Sequence, residues 1–379
     1  MRVLTRDEAL ALVAERQDII AACADANPFA APEWIAHYLR EVVPAGTPLL
    51  LAEAPDRSFM LMERAHRGEA VAVANYYTSL YSPIAASTTP ADSVAGLLDD
   101  AARARPRISV LRLAPLSAEA AETAALETAL RSRGWSVRRY FCFGNWYLPC
   151  DGLSMDDYAR QLPSQTRNTL QRKGRKFRDA GGRLAICTTP EEVGVAMRAY
   201  DQIYARSWKK PEPYPGFVPG WAAICAARGW LRLGVAWMGE IPVAAQFWFT
   251  RNRRAFIFKL AYDEEHASWS AGTLLTGELM RHSFEQDRVV EVDYLTGDDA
   301  YKRSWMRERR ERVGLLACNP RTLHGLALAG AERARDVLRP LLRRKAGAAG
   351  AHGAASPSPD AASAPPGSAP PSAASPSGS

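Results

Sequence analysis

Two α/β units in tandem, followed by an unstructured tail, is the architecture that this sequence predicts. Three observations carry the prediction. The chain has 379 residues, more than one ordinary hydrophobic core organises. Strand-like alternation and helix-like spacing succeed one another twice, once over 1–150 and again over 183–318. Beyond about Ala346 the chain is Ala, Pro, Ser and Gly with almost no charge, a composition that buries too little surface to offset its ordering entropy. No sequence repeat joins the two units, so a duplication would be visible only in the structure.

In the first unit, Asp7 to about Ala24 reads as a helix. A second helix starts near Pro32, whose fixed φ suits a first turn, and carries Trp34, Ile35, Tyr38 and Leu39. Pro48–Glu53 and Phe59–Glu63 read as strands around an Ala-Pro-Asp-Arg turn. Ile108–Leu113 is a strand, 117–133 a helix stopped by Gly134, and Val137–Leu148 a further strand.

The second unit, 151–318, opens with a basic helix. Pro163-Ser164 is its start signal, with Ser164 expected as N-cap. Leu170, Gly174 and Phe177 fall on one stripe, and Gly181-Gly182 ends the helix. Arg183–Thr188 is a strand and 191–207 a helix. Trp230–Trp237, Val243–Thr250 and Arg254–Tyr262, joined by short loops, form an antiparallel meander. Helix 270–286, strand Val289–Leu295 and a last helix and strand end near Cys318. A basic amphipathic helix covers 319–345, and 346–379 is the disordered tail.

Composition removes several function classes. No run of about 18 apolar residues exists, which argues against a membrane span. Charges interrupt the N-terminus too often for a secretory signal, so a cytoplasmic protein is expected. The six cysteines form no CxxC pair and no zinc-spaced Cys/His cluster, so reduced core residues and no metal are expected. GxSxG, HExxH and P-loop motifs are absent. The net charge is +7, unevenly spread: seven basic residues and no acid lie between Arg160 and Arg178. Such clusters suit phosphate-bearing partners, although a solvated surface has the same composition.

Three stretches can carry chemistry. In the first, Ser268-Trp269-Ser270-Ala271-Gly272-Thr273 places small residues at a helix start, where free N–H groups and the helix dipole favour an anion such as pyrophosphate. An ordinary Ser-capped helix start reads the same way. In the second, Asp293 lies within an apolar strand, which costs free energy unless it has a partner or a task. It is either a working carboxylate or a structural acid paired with an Arg. The third is the basic helix, with Arg167, Arg172 and Lys173: a phosphate-binding surface or a solvated helix with snorkelling stems.

Five motifs in order resemble the FemAB/CelD-like branch of the GNAT N-acetyltransferase superfamily. They are Pro28-Phe29-(x)4-Trp34, Arg167-Asn168-Thr169-Leu170-Gln171-Arg172-Lys173, Gly239-Glu240-Ile241-Pro242-Val243-Ala244-Ala245, Ser270-Ala271-Gly272-Thr273-Leu274-Leu275, and Asp293-Tyr294-Leu295-(x)-Gly297-Asp298-(x)2-Tyr301-Lys302-(x)2-Trp305. The resemblance spans about 28–318. It implies two tandem GNAT-like domains, each a mixed, mostly antiparallel sheet flanked by helices, the first (1–150) degenerate and the second (151–318) the acyltransferase.

It further implies that acetyl-CoA or another acyl-CoA lies along strand 254–262, at Lys259, Leu260 and Tyr262. The donor's pyrophosphate would lie at Ser270, Ala271, Gly272 and Thr273. Gln246, Trp248, Arg167, Arg172 and Lys173 would bind substrate. Asp293 would be the general base, Tyr301 the proton donor to the leaving group, and Lys302 a phosphate or acceptor ligand. A backbone N–H of strand 254–262 would hold the oxyanion.

The usual GNAT phosphate loop, Q/R-x-x-G-x-G/A, is replaced here by Ser268–Thr273, which opens the donor to question. Fem-type relatives use aminoacyl-tRNA, and CelD-like relatives suggest a non-catalytic accessory role in polysaccharide production. The expected acceptor is an amine or hydroxyl, in a small molecule or glycan of the cell envelope or an exopolysaccharide. tRNA is a second partner, DNA is not, and the basic C-terminal helix would give peripheral membrane contact.

Overall fold

The computed structural model describes residues 1–25, 27–86, 90–102 and 107–335. The expected tail, 346–379, and the end of the basic C-terminal helix, 336–345, lie outside the described residues.

Among the described residues, twelve strands form one sheet: β1 (Arg2–Leu4), β2 (Leu49–Glu53), β3 (Phe59–Arg64), β4 (Glu69–Ala72), β5 (Val110–Ser117), β6 (Ser136–Pro149), β7 (Gly182–Cys187), β8 (Leu231–Met238), β9 (Ile241–Arg251), β10 (Arg254–Tyr262), β11 (Glu291–Asp293) and β12 (Glu308–Cys318). Their order across the sheet is β1-β2-β3-β4-β5-β12-β6-β11-β10-β9-β8-β7. Read from either end, an antiparallel run leads to a parallel pair, β4 with β5 at one end and β10 with β11 at the other. A helix joins each pair, Pro90–Ala102 in the first half and Ala271–Glu285 in the second. The duplication absent from the sequence is therefore present in the topology.

The halves exchange their last strands. β6, the end of the first half, pairs with β11 of the second, and β12, the end of the second, pairs with β5 of the first. β6 and β12 then run side by side along the seam, from Tyr147 opposite Glu308 to Ser136 opposite Cys318. The sheet is thus continuous across the 150/151 division.

The described residues as far as Ala327 form one compact unit, and those from Leu328 belong to a second. Residues 328–335 are helical, with Arg335 donating to Glu332 at 2.6 Å.

Several local expectations hold. Pro32 opens helix Pro32–Glu41. The meander 231–262 forms as read. The stripe Leu170, Gly174, Phe177 faces inward: Gly174 and Phe177 are buried, and a Cβ added at Gly277 would lie 2.6 Å from Leu170. Others differ. The first helix breaks at Arg16 (φ −110°, ψ 27°) into Arg6–Glu15 and Gln17–Cys23. Ser164 is the first helical residue rather than the cap; Pro163 holds the cap position and no side chain closes it. The basic helix also contains a π turn, Thr169–Lys173. Helix Phe217–Ala227 is an element added to those expected. Pro219 is tolerated because it lies in the first turn, where its missing N–H has no intrahelical partner to lose.

In the first half, the chain turns back where β4 stops. Tyr81 N–H donates to Pro115 O on β5 at 2.6 Å, and Ile84 bridges Phe59 on β3. The segment after Ala72 therefore fills the space beside β5. The corresponding space in the second half is treated next.

Candidate active site

β10 and β11 pair in parallel only from Arg254 to Phe256, opposite Glu291 to Asp293. Beyond Phe256, β11 has ended, and Tyr294 N–H donates to Trp146 O on β6. β10 runs on to Tyr262, and among the described residues no strand pairs with its free side. Its pairing with β9 also slips between Ile257 and Lys259. A bulge there re-aims the backbone and side chains at the split. The edge 257–262 thus keeps backbone N–H and C=O groups for an extended ligand.

At the end of this edge the chain turns through 264–269 into helix Ala271–Glu285. Ser270 has φ +55° and its side chain does not cap the helix, so the first N–H groups keep no side-chain acceptor. A Cβ added at Gly272 would meet only Tyr262 Cδ1, at 3.9 Å. Lys173 on the basic helix donates to Ser270 Oγ at 2.8 Å and Ser268 O at 3.3 Å, and Lys176 lies over the Trp269 ring. Uncapped N–H groups, an open Gly272 and a lysine meet at the same turn, a combination that favours an anion. Arg172, Arg175 and Arg178 are exposed alongside it.

The opposite wall comes from loops. Segment 206–216 crosses the edge and is fastened twice. The Trp208 ring lies 4.7 Å from Tyr262, and Glu212 accepts from Lys259 Nζ at 2.6 Å. Glu212 also accepts from the hydroxyls of Tyr76 (2.8 Å), Tyr77 (2.7 Å) and Tyr204 (3.0 Å). Tyr76 and Tyr77 belong to the first-half segment that follows β4, so the first half supplies a wall of the second half's site. Burial works against the Glu212 anion, but Lys259 and the tyrosine hydroxyls outweigh it and hold its pKa below the usual carboxylate value. Burial pulls Lys259 below its ordinary pKa, with Glu212 opposing. Lys209 is pushed down to about 8 by burial and by the nearby charge of Lys259 and Lys302, with Glu212 opposing. Neither Lys209, Glu212, Tyr76 nor Tyr77 was expected from sequence. The available signals were the Tyr76-Tyr77 doublet and paired lysines held in a proline-rich loop.

Among the expected residues, Lys259, Leu260, Tyr262, Ser270, Ala271, Gly272, Thr273 and Lys173 line this edge and helix start. Tyr301 and Lys302 stand nearby. The Tyr301 hydroxyl meets Thr276 Oγ1 at 2.9 Å, and burial raises its pKa. Lys302 donates to Thr296 O and pairs with Asp299 at 3.2 Å. Ser79, again from the first half, meets Thr296 Oγ1 at 2.9 Å. Arg172 is exposed on the basic helix.

Others lie elsewhere. Gln246 and Trp248, expected to bind substrate, are 2 % and 0 % exposed. Trp248 Nε1 donates to Gln246 Oε1, and Gln246 Nε2 donates to Gly272 O and Thr276 Oγ1. They hold the helix start from beneath, because a buried amide must spend its donors on neighbours. Arg167 donates to Arg160 O and Leu162 O, closing the preceding helix.

Asp293 is 2 % exposed and has the Arg partner that its structural reading required. Oδ1 accepts from Asn145 Nδ2 (2.5 Å) and Leu295 N (2.6 Å), and Oδ2 pairs with Arg310. Arg310 also binds Glu291 at 2.9 Å and Asn145 Oδ1 at 2.6 Å, and Arg312 reaches Asn145 Oδ1 at 3.0 Å. The network clasps β6, β11 and β12 at the exchange point.

Residues 164–303 match the acetyltransferase (GNAT) domain family. The match begins at the basic helix and ends just past Lys302. These residues are a GNAT domain.

Solved structures share the wider fold. FemX is 11% identical, with 86% of this chain and 99% of that one covered and a TM-score of 0.55. The C-terminal domain of a protein assigned as a lysylphosphatidylglycerol synthetase in Agrobacterium fabrum is 12% identical, with 86% and 95% covered and a TM-score of 0.52. L-PGS from Bacillus licheniformis is 12% identical, with 78% and 91% covered and a TM-score of 0.51. No curated protein matches in sequence. Residues 164–303 thus belong to the GNAT domain family, and the chain as a whole shares the fold of FemX. The split between β10 and β11 lies within the matched residues.

Proposed function

We propose that this GNAT domain transfers an acyl group from an acyl-CoA, acetyl-CoA being the simplest, to an amine or hydroxyl acceptor. The observation that carries the reading is the free edge of β10 leading into an uncapped helix start with Lys173 beside it. An extended pantetheine pairs with the edge, and the pyrophosphate meets the N–H groups of Ala271–Thr273 and the Lys173 ammonium. The acyl carbonyl lies at the bulge, where a β10 N–H donates to the developing oxyanion. The acceptor enters between Trp208, Tyr76 and Lys302. An amine must lose a proton before attack. Asp293, already engaged at both oxygens, is replaced in that role by a group of the loop wall. Tyr301 stands where it can return a proton to the leaving group. A cytoplasmic setting, where acyl-CoA is made, and an acceptor in cell-envelope or exopolysaccharide synthesis belong to this proposal.

A second reading has its own observation. The exposed cations Arg172, Lys173, Arg175, Lys176 and Arg178 continue the phosphate site along the helix, a surface longer than one pyrophosphate requires. Aminoacyl-tRNA, the donor that the Fem-type resemblance implies, would use it.

Thermal unfolding with acetyl-CoA, a long-chain acyl-CoA, bare CoA and tRNA separates the two. A ligand at about 100 times its Kd adds roughly 2.7 kcal/mol, a shift of a few degrees. A shift with an acyl-CoA supports the first reading. A shift with tRNA alone, falling steeply with salt, supports the second. No shift with any of them overturns both.

A further inference from the structure

Lys209 is a cation without an acid. Among the described residues its ammonium makes no hydrogen bond and no ion pair, only a contact with the Trp208 ring at 5.7 Å. Its neighbours are provided for: Lys259 has Glu212 at 2.6 Å, and Lys302 has Asp299 and Thr296 O. Position sets Lys209 apart as well. It lies between the two fastenings of the 206–216 segment, Trp208 on Tyr262 and Glu212 on Lys259. Those fastenings span the stretch of β10 that the donor occupies in the reading above, on which the inference rests. The two half-buried ammonium groups nearby, with a single buried carboxylate, favour a neutral amine at this spot.

We infer that Lys209 is a nucleophilic amine aimed at the donor's acyl carbon, and that without an acceptor it takes the acyl group itself. Its neutral Nζ attacks the thioester carbonyl, the C–N bond forms and the C–S bond breaks. The CoA thiolate leaves and takes the proton lost by the attacking nitrogen. The products are an Nε-acyl-lysine and free CoA thiol, with no oxidant or reductant involved. The burial and charge that lower the Lys209 pKa to about 8 make the neutral form abundant at pH values where an ordinary lysine, near 10.4, is protonated. The groups acting on it are Lys259 from β10, Glu212 from its own loop and Lys302 from helix Ala300–Trp305.

The test uses the whole protein, two acyl donors and peptide mass spectrometry. The donors are acetyl-CoA and p-nitrophenyl acetate, which needs no nucleotide site. With both at pH 7.5 (about half a unit below the Lys209 value), Lys209 is acetylated at least about tenfold faster than exposed Lys210, with an acid-limb midpoint near 8. Lys209→Gln loses the label while its unfolding temperature stays at or above that of the parent. No preference for Lys209 with p-nitrophenyl acetate overturns the inference and leaves the donor site standing. Stabilisation by acetyl-CoA without acetylation of Lys209 overturns the placement at the acyl carbon. Preference with p-nitrophenyl acetate, but neither binding nor labelling by acetyl-CoA, supports the reactive amine and rejects acetyl-CoA as donor.

Discussion

At the scale of single residues, burial decides what a charged side chain does. Asp293 and Lys209 are opposite cases. Asp293 is enclosed and answered by Arg310, Asn145 and the Leu295 N–H. Removing one partner of a buried pair leaves the other uncompensated. Asp293→Ala is therefore expected to cost about 3–5 kcal/mol in denaturant unfolding, and Asp293→Asn less, because the amide oxygen still accepts from Asn145 and the Leu295 N–H while Arg310 keeps Glu291. An Asp293→Asn chain of parental stability that had lost turnover would restore Asp293 as the base.

Lys209 is buried enough to be shifted and has no acid. Its folded pKa lies below the unfolded value, so between about 8 and 10.5 the unfolded chain holds the extra proton. Stability then rises with pH across that window. Lys209→Met should unfold a few degrees higher than the parent at pH 7, and the gap should close as pH rises from 8 toward 10.5. A gap independent of pH would show that packing, not charge, is responsible.

At the scale of elements, the site depends on how β10 ends and how the next helix begins. The Gly272 position is open on the protein side, with Tyr262 Cδ1 3.9 Å from an added Cβ. Gly272→Ala should leave the unfolding temperature within about a degree of the parent, since Ala also favours the helix. It should nevertheless weaken acyl-CoA binding about tenfold, because the methyl stands where a phosphate approaches the backbone. Unchanged affinity by calorimetry would move the phosphate away from this turn. Much of this element was legible: the strand, the small-residue turn and the helix follow from local periodicity and the Ser-Ala-Gly-Thr run. The uncapped Ser270 was not, because whether a serine caps depends on the backbone angles that the preceding turn imposes.

At the scale of the whole molecule, the exchange of β6 and β12 makes the halves depend on each other. β12 pairs with both β5 and β6 over most of its length. A chain ending at Met306 would leave β5 paired only with β4, β6 only with the three residues of β11, and the Asp293 network without Arg310. It should show no cooperative unfolding transition by circular dichroism. A retained sigmoidal transition would show that the first half is stable alone. The first half also earns its place at the site, through Tyr76, Tyr77 and Ser79.

The sequence by itself determined the type and order of most elements, the basic helix with its inward stripe, and the phosphate-favouring helix start. Those features are written in periods of two or 3.6 residues and in short runs of small or charged residues, so they are read locally. The tertiary structure alone decided that the end strands change places, that Gln246 and Trp248 lie beneath the helix instead of facing a ligand, and that Asp293 belongs to Arg310. It also brought Tyr76, Tyr77 and Glu212 to Lys259 from 183, 182 and 47 positions away along the chain. A side chain's type is local, whereas its partner is chosen by which distant backbones the closing sheet sets side by side.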